Sequence, residues 1–233
     1  MKHFNNHRPC VVLTKRNGSN PIADDLVEVV FIPLTDGLRQ SEFKEICAMT
    51  LRPRKQGKLH RAEYEHAMKY GLDPITAMEL FDKWYNNLQL RFNKRILPIT
   101  YNWPAQYGFL QEWIGYDSEN QPIIGDYIAD LYRDILPISL YWSELADLND
   151  LVPPFHTPAL TRIGTRLGVI KPKSKSLLDR AFFLLETYDR LMSLRVDAVD
   201  LPMAYPSEID YSLSKEEDLP FEELQALLLP DSE

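Results

Sequence analysis

The sequence predicts an α/β protein in which one sheet carries helices on its faces. Strand-like segments rich in β-branched residues come first in the 233-residue chain. Segments with the spacing of amphipathic helices then alternate with further strands, and two helical segments close the pattern. This order of elements is typical of a sheet flanked by helices.

The first three strands are expected to form an antiparallel meander. "VVLTKR" (residues 11–16) begins apolar and ends polar, and the following "NG" is a strong turn signal. "LVEVVFIPL" (26–34) is dense in β-branched residues. "EFKEICAMTLRP" (42–53) alternates apolar and charged residues until Pro53 closes it. Strands that follow each other this closely pair most economically as hairpins.

Two helices are predicted next. "HRAEYEHAMKYGL" (60–72) has helical character, and Gly71 is well placed to end it. In "DPITAMELFDKWYNNLQLRF" (73–92), Asp73 can cap the helix and Pro74 occupies the first turn. This second helix has a predicted apolar face made of Met78, Leu80, Phe81, Trp84 and Leu88.

The second half of the chain alternates between strand and helix. "RILPITYN" (95–102) predicts a strand and "AQYGFLQEWIG" (105–115) a helix that ends at Gly115. "PIIGDYIADLYRDILPI" (122–138) predicts a brief strand and then a helix with Ile128, Leu131 and Ile135 on one side. Short helices and loop are expected up to Pro158. Two closing helices are predicted in 159–170 and 176–194, the second with an apolar face made of Leu177, Leu178, Ala181, Phe182, Leu185, Tyr188 and Leu191.

Composition indicates a globular, intracellular protein, with the cytoplasm as the expected location. The chain is 45% hydrophobic and 11% aromatic, which is enough apolar material for a core. No stretch approaches the roughly 18 apolar residues that a membrane span needs, and the polar start does not resemble a secretory signal. Cys10 and Cys47 are expected to be packed thiols, and the histidines lack the spacing of metal ligands.

The charge is concentrated at one end of the chain. The net charge is −8, and residues 197–233 hold eleven acidic residues against Lys215 alone. We therefore predict a domain over residues 1–195 and an acidic tail over 196–233. Such a tail repels or imitates nucleic acid, or docks on a basic partner surface.

Four segments of the chain carry a resemblance to a known family. They are "VVLTKRNGSNPIADDLVEVVFIPL", "AMKYGLDP", "PITYNWPAQYGFLQEW" and "LTRIGTRLGVIKPKSKSLLDRAFFLLE", and the match extends over roughly residues 9–194. Together they resemble the DEDD superfamily of 3′→5′ exonucleases, of the DEDDh proofreading type. The resemblance implies a ribonuclease H-like mixed sheet, with three antiparallel strands followed by parallel strands and with helices on its faces.

The resemblance also implies where a catalytic site would lie, and most of its acids are missing. Members of the superfamily use four carboxylates to hold two divalent cations, and a His or Tyr as general base. The two acids of the first strand fall on Thr14 and Arg16, the central Asp on Gln106, and the general-base His on or near Ser174. Only the last acid is retained, as Asp179.

Arg16 is the most damaging of these differences. A guanidinium about 4 Å from a divalent ion would be repelled by about 8 kcal/mol at an effective dielectric constant of about 20. The loop acids Asp24 and Asp25 are expected to lie away from the end of the first strand and so to offer no replacement. Arg16 itself either receives a phosphate or forms a salt bridge with Asp179.

The favoured interpretation is a catalytically inactive exonuclease fold that binds nucleic acid or a protein partner and needs no metal or other cofactor. The alternative is an active metal-dependent 3′→5′ exonuclease that uses Mg²⁺ or Mn²⁺ in a rebuilt site. Six residues are candidates for nucleic-acid binding: Lys15, Arg16, Asn102, Trp103, Arg54 and Lys55. Arg54 and Lys55 belong to the densest basic stretch (52–61), which equally suits a solvated loop. Trp103, expected in a loop beside Pro104, is the candidate for stacking on a base.

The tail offers a second kind of partner site. Ser214 and Glu217 have the spacing of a capping box, and Pro220 fits an early helical turn. The apolar face that follows is made of Phe221, Leu224, Leu227 and Leu228. "QALLL" (225–229) also loosely resembles the peptides that bind sliding clamps. A short amphipathic helix that docks on a groove of a replication, repair or other protein is therefore predicted, with docking on this chain as the alternative.

Overall fold

Strands between residues 7 and 134 form a mixed sheet with the predicted order of antiparallel and then parallel pairing. The computed structural model describes residues 7–35, 39–40, 45–92, 94–148 and 159–193. Their strands are β1 (His7–Arg16), β2 (Leu26–Thr35), β3 (Arg39–Gln40), β4 (Cys47–Thr50), β5 (Arg95–Thr100) and β6 (Arg133–Asp134). The sheet order is β3-β2-β1-β5-β6, with β4 also paired to β2. Pairs β1–β2, β2–β3 and β2–β4 are antiparallel, whereas β1–β5 and β5–β6 are parallel. The predicted α/β class is thereby confirmed.

The helices of the described residues are α1 (Arg61–Tyr70), α2 (Pro74–Phe92), α3 (Trp103–Ile114), α4 (Ile124–Tyr127), α5 (Ile135–Leu148), α6 (Leu160–Arg166) and α7 (Leu177–Ser193). The described residues divide into two compact units. The first contains those up to Asp134 and residues 174–182, and the second contains those of 135–173 and 183–193. The predicted acidic tail, including Phe221, Leu224, Leu227 and Leu228, lies outside the described residues. Within the described part of the chain, no helix is both long and apolar enough to span a membrane.

The core of the first unit is built on β1. Residues Cys10–Leu13 are buried because β1 has a paired strand on each side and packed side chains on both faces. Phe81 of α2 is fully buried, and its ring lies 5.0 Å from that of Phe31, 5.4 Å from that of Trp113 and 5.5 Å from that of Tyr127. The two cysteines are buried free thiols, and burial raises the pKa of the Cys47 thiol to about 12.

The predicted cap of α2 is confirmed, but one residue of its predicted face is wrong. The Asp73 carboxylate accepts hydrogen bonds from the backbone N–H groups of Ile75 and Thr76, each at 3.1 Å. Leu80 is 45% exposed. The buried positions are instead Ala77, Phe81, Tyr85 and Leu88, which repeat at the three- and four-residue spacing of a single helix face. Leu80 precedes Phe81 and therefore points away from that face.

The prediction for 122–138, a brief strand followed by a helix, is wrong in its order. Ile124–Tyr127 is helical, Ile128 forms a parallel bridge with Ile96, and the next helix of the range is α5. The N–H of Ala129 donates to the Ile96 carbonyl at 2.7 Å, so the chain continues extended along β5 into β6. Leu131, expected on an apolar face, is exposed. Pairing with a neighbouring strand outweighs the local helical spacing, and α5 begins at Ile135.

The second unit contains α6 and the C-terminal part of α7. Gly164 of α6 lies so close to α7 that an added Cβ would be 2.3 Å from Phe183 Cζ and 2.5 Å from Thr187 Oγ1. Of the predicted apolar face of α7, Tyr188 and Leu191 are buried in this unit. Leu185 is only half-buried, and the neighbouring Leu184 is buried instead. Close helix packing at a small residue thus holds this unit together.

Candidate functional site

The end of β1 meets α3 through the side chain of Gln106, which is only 3% exposed. Its Oε1 accepts a hydrogen bond from the Thr14 backbone N–H at 2.8 Å. Its Nε2 donates to Thr100 Oγ1 at 2.5 Å and to the Tyr101 carbonyl at 2.7 Å. The Thr100 hydroxyl in turn donates to the Val12 carbonyl at 2.9 Å. One carboxamide therefore joins β1, β5 and α3 with both of its N–H groups and its oxygen engaged.

Arg16 packs on the same helix. Its guanidinium donates to the Ala105 carbonyl and lies over the Phe109 ring, with 5.1 Å between Cζ and the ring centroid. Burial lowers the pKa of the Arg16 guanidinium. The alternative of a salt bridge with Asp179 is wrong for the described residues, in which no ion pair joins these two side chains. A peptide carbonyl and an aromatic face hold the cation instead.

Lys15 lies on the opposite face of β1, as alternation along a strand requires. Its Nζ is 2.9 Å from Glu28 Oε1 and 3.2 Å from Glu63 Oε1. Burial opposes the charged form, but hydrogen bonds and charge from the two carboxylates outweigh it and raise the pKa of Lys15. This candidate phosphate ligand is therefore already paired with two acids.

Asn102 and Trp103 form the start of α3, where Asp134 of β6 binds them. Asn102 is in the left-handed region at φ 58° and ψ 60°. Its backbone N–H donates to Asp134 Oδ1 at 2.7 Å, and that of Trp103 donates to Asp134 Oδ2 at 2.6 Å. Asp134 is 4% exposed. Asp134 thus caps α3 from a neighbouring strand, with its negative charge at the positive end of the helix.

The expected loop position of Trp103 is wrong, because it is the first residue of α3. Trp103 is 5% exposed, and its ring centroid lies 5.7 Å from that of Tyr107 and 6.0 Å from that of Tyr132. An indole packed in this way leaves little of its face for a nucleic-acid base.

Residues after β1 hold the basic loop in place. Asn17 is fully buried, and its Nδ2 donates to Asp25 Oδ2 and to the Lys55 carbonyl, each at 2.8 Å. Its Oδ1 accepts from the Asp25 N–H at 2.6 Å. The expectation that Asp25 lies away from the first strand's end is therefore wrong. Asn17 joins the β1–β2 connection to the loop before α1 because its side chain offers donors and an acceptor together.

The basic candidates on that loop are paired with acids. Arg54 Nε lies 2.6 Å from Asp25 Oδ1, and Lys55 Nζ lies 3.0 Å from Asp24 Oδ1. Hydrogen bonds from backbone and Lys55 lower the pKa of Asp24. Arg61, at the end of the same stretch, is paired with Glu65. The stretch expected to contact a nucleic-acid backbone thus has three of its cations in ion pairs.

The other two positions implied by the resemblance lie just before α7 and in its first turn. Ser174 is exposed, and its Oγ accepts from the Ser176 N–H at 2.9 Å. Asp179 lies in the first turn of α7. Both belong to the same compact unit as the sheet. Among the described residues, no three His, Cys, Asp or Glu side chains are arranged to hold a metal ion.

Comparison with solved structures finds this fold in E. coli exonuclease I. Superposition on the zinc-bound complex of that protein with single-stranded DNA gives a TM-score of 0.59 at 11% sequence identity. The match covers 81% of this chain and 41% of the exonuclease I chain. In its complex with a dT13 oligonucleotide, the TM-score is 0.56 at 11% identity, over 80% and 41%. This chain therefore spans about two fifths of exonuclease I. The predicted ribonuclease H-like, exonuclease-like fold is thereby confirmed.

A chain in the structure of the yeast NOT1 MIF4G domain co-crystallized with CAF1 is also similar. Its TM-score is 0.54 at 11% identity, over 83% of this chain and 82% of that one. No protein-family model matches the sequence, and no curated protein matches it either. These likenesses concern the fold.

The residues at the end of β1 do not fit the two-cation site that the resemblance implies. Such cations need several converging oxygens, of which carboxylates are the strongest ligands. The positions here offer a guanidinium, a carboxamide with every polar atom engaged, and the hydroxyl of Thr14. The Thr14 Oγ1 is buried and has no hydrogen-bond partner in the described part of the chain, but one neutral hydroxyl is not a donor set for two divalent cations.

Proposed function

We propose that this protein is a catalytically inactive exonuclease fold that acts by binding a partner, and that the partner is a protein. The observation that carries the proposal is the hydrogen bonding of Gln106. At the position where the resemblance implies a metal-binding Asp, the neutral side chain of Gln106 on α3 forms hydrogen bonds to Thr14 of β1, to Thr100 of β5 and to the Tyr101 carbonyl. These hydrogen bonds give Gln106 a structural role, because they connect β1 and β5 to α3. Arg16 packs on Ala105 and Phe109 of the same helix.

The charges support a protein partner over nucleic acid. Binding to nucleic acid relies on Lys and Arg side chains that neutralise phosphates and so release the counterions bound to them. Lys15, Arg54 and Lys55 are each paired with a carboxylate, and Trp103 is buried. Contact with phosphates at these positions would first require breaking those ion pairs. The net charge of −8 adds a general repulsion.

Purified protein is expected to leave single-stranded DNA and RNA intact with Mg²⁺ or Mn²⁺ at millimolar concentration. The physical reason is that Arg16 and Gln106 supply no anionic ligands to the metals that would activate water. The measurement is electrophoresis of 5′-labelled oligonucleotides over several hours.

Two controls make that assay decisive. E. coli exonuclease I in the same buffer shows that the DNA is cleavable, and an Asp179→Ala variant purified in parallel identifies contaminating nuclease. Stepwise shortening of the oligonucleotide by the native chain, lost in Asp179→Ala, would overturn the proposal in favour of an active enzyme with a rebuilt site.

Binding of a single-stranded oligonucleotide is expected to be weak. Charge reversal at Arg54 and Lys55 is expected to change the dissociation constant by less than about twofold, because these cations already face Asp25 and Asp24. Fluorescence anisotropy of labelled dT oligonucleotides at several salt concentrations measures this. Tight binding that falls steeply with salt and is lost in the reversed variants would make nucleic acid the partner instead.

A further inference from the structure

An apolar groove lies between α2, α3 and α4 of the first unit. Its volume is about 420 Å³, which falls in the range of ligand pockets, about 300–1,000 Å³. The apolar side chains that line it are Ile75, Met78, Trp113, Ile114, Ile123 and Tyr127. No part of the candidate site at the end of β1 lines this groove.

The walls of the groove are held in place by hydrogen bonds. The Trp113 indole N–H donates to the Pro74 carbonyl at 3.2 Å, and the Tyr127 hydroxyl donates to Asp82 Oδ1 at 3.0 Å. Burial, and after it the neighbouring Asp82, raise the pKa of Tyr127 to about 12. Trp113 and Tyr127 are therefore held in place before an occupant arrives, which lowers the entropic cost of binding.

Ile75 is an apolar side chain at the mouth of the groove and is 73% exposed. The cap of α2 does not depend on it, because Asp73 binds the backbone N–H groups of Ile75 and Thr76 rather than the Ile75 side chain. An isolated exposed Ile is ordinary, but one that adjoins an apolar groove enlarges the surface available to a partner.

The charges around the groove select among occupants. Glu79 and Asp82 line it, and Lys and Arg are absent from its lining among the described residues. The chain's own segment 197–233 holds eleven acidic residues, and a second copy would bring the same acidic rim against itself. Both arrangements place like charges together, whereas a basic partner complements the rim.

We propose that this groove binds an amphipathic helical segment of another protein, with apolar side chains flanked by Lys or Arg. A helix laid in a groove places side chains from successive turns against it. The lining contributed by α2 extends from Pro74 to Asp82, which is about two turns of that helix. The inference deepens the proposed binding role by naming the class of partner, and it rests on that role.

A designed peptide tests the inference. A fluorescent helix of about 18 residues, roughly five turns, carries Leu at three- and four-residue spacing and Lys at the flanking positions. A matched peptide carries Glu in place of each Lys. The Lys peptide is expected to bind at least about tenfold more tightly by anisotropy, because Glu79 and Asp82 attract one and repel the other.

Variants of the full chain identify the surface. Ile75→Gln and Glu79→Lys are each expected to weaken binding of the Lys peptide by about tenfold or more. Leu131→Gln and Glu119→Lys are the matched controls, because both residues are exposed and neither lines the groove; binding is expected to be unchanged. Thermal unfolding of all four variants checks that they fold, as the exposure of the replaced side chains predicts.

Three results would overturn the inference: no binding of the Lys peptide, equal binding of both peptides, or equal effects of groove and control variants. Tighter binding of a peptide of residues 214–233 that competes for the groove would assign the site to the chain's own tail. Nuclease activity is measured on the same preparations. Activity together with groove binding contradicts only the inactive-enzyme proposal, whereas inactivity without groove binding contradicts only this inference.

Discussion

Gln106→Glu is expected to reduce the free energy of unfolding by about 2 to 4 kcal/mol at neutral pH. The substitution keeps the shape of the side chain but removes both N–H donors, so Thr100 Oγ1 and the Tyr101 carbonyl each lose the hydrogen bond that they accept from Gln106. A carboxylate oxygen would then face the Tyr101 carbonyl at a position only 3% exposed. Urea unfolding monitored by circular dichroism measures the loss.

The pH dependence of this variant separates its causes. The buried carboxyl has no described cation as partner, so its pKa in the folded state lies above the value of about 4.3 for an unfolded chain. The folded state then binds more protons than the unfolded state between these two values, and stability falls as pH rises. The loss in the free energy of unfolding, relative to the native chain, is expected to be smallest at about pH 4, where the carboxyl is protonated and can donate a hydrogen bond.

Gln111→Glu is the matched control, because Gln111 lies on the same helix and donates only to the Tyr116 hydroxyl in an exposed setting. Its effect is expected to stay within about 0.5 kcal/mol. Equal losses in the free energy of unfolding of the two variants would contradict the structural role of Gln106 in connecting β1, β5 and α3. A loss in Gln106→Glu that does not change with pH would contradict it as well.

Asp134→Ala is expected to destabilise the protein by about 3 kcal/mol. It removes two hydrogen bonds from the N–H groups of Asn102 and Trp103 to a carboxylate that is 4% exposed. Hydrogen bonds to charged groups contribute more than neutral ones, and an N–H left buried without a partner adds its own cost. Asp134→Asn keeps one accepting oxygen and is expected to lose about half as much.

Asp117→Ala provides the control for this second prediction. Its carboxylate also accepts two backbone N–H groups, from Glu119 at 2.9 Å and Gln121 at 2.8 Å, but in an exposed turn. Water replaces those partners when the carboxylate is removed, so a loss of less than about 1 kcal/mol is expected. Comparable losses at Asp117 and Asp134 would contradict the capping role that we assign to Asp134.

Local patterns predicted most of the element order correctly. Asp73 and Pro74 mark the start of α2, and Gly71 and Gly115 follow the ends of α1 and α3, because caps and breakers act within a few residues. The pattern misled where pairing with a distant segment decided the conformation. Leu131 matched a helical spacing, yet Ile128 and Arg133–Asp134 run along β5.

The sequence alone determined that β1 ends in Thr14, Lys15 and Arg16 rather than in acids. The loss of a two-cation site is a prediction that rests on the family resemblance. Only the tertiary structure decided what those positions hold. Hydrogen bonds between residues about 90 positions apart, such as Thr14 with Gln106, leave no periodicity in the sequence. Asp134 gave no local signal because its partners are the backbone N–H groups of Asn102 and Trp103, which parallel pairing of β5 and β6 brings beside it. Helix caps, breakers and apolar periodicity depend on residues a few positions apart and can therefore be predicted from short stretches of sequence. The hydrogen-bond partners of buried polar groups depend on how distant segments pack together.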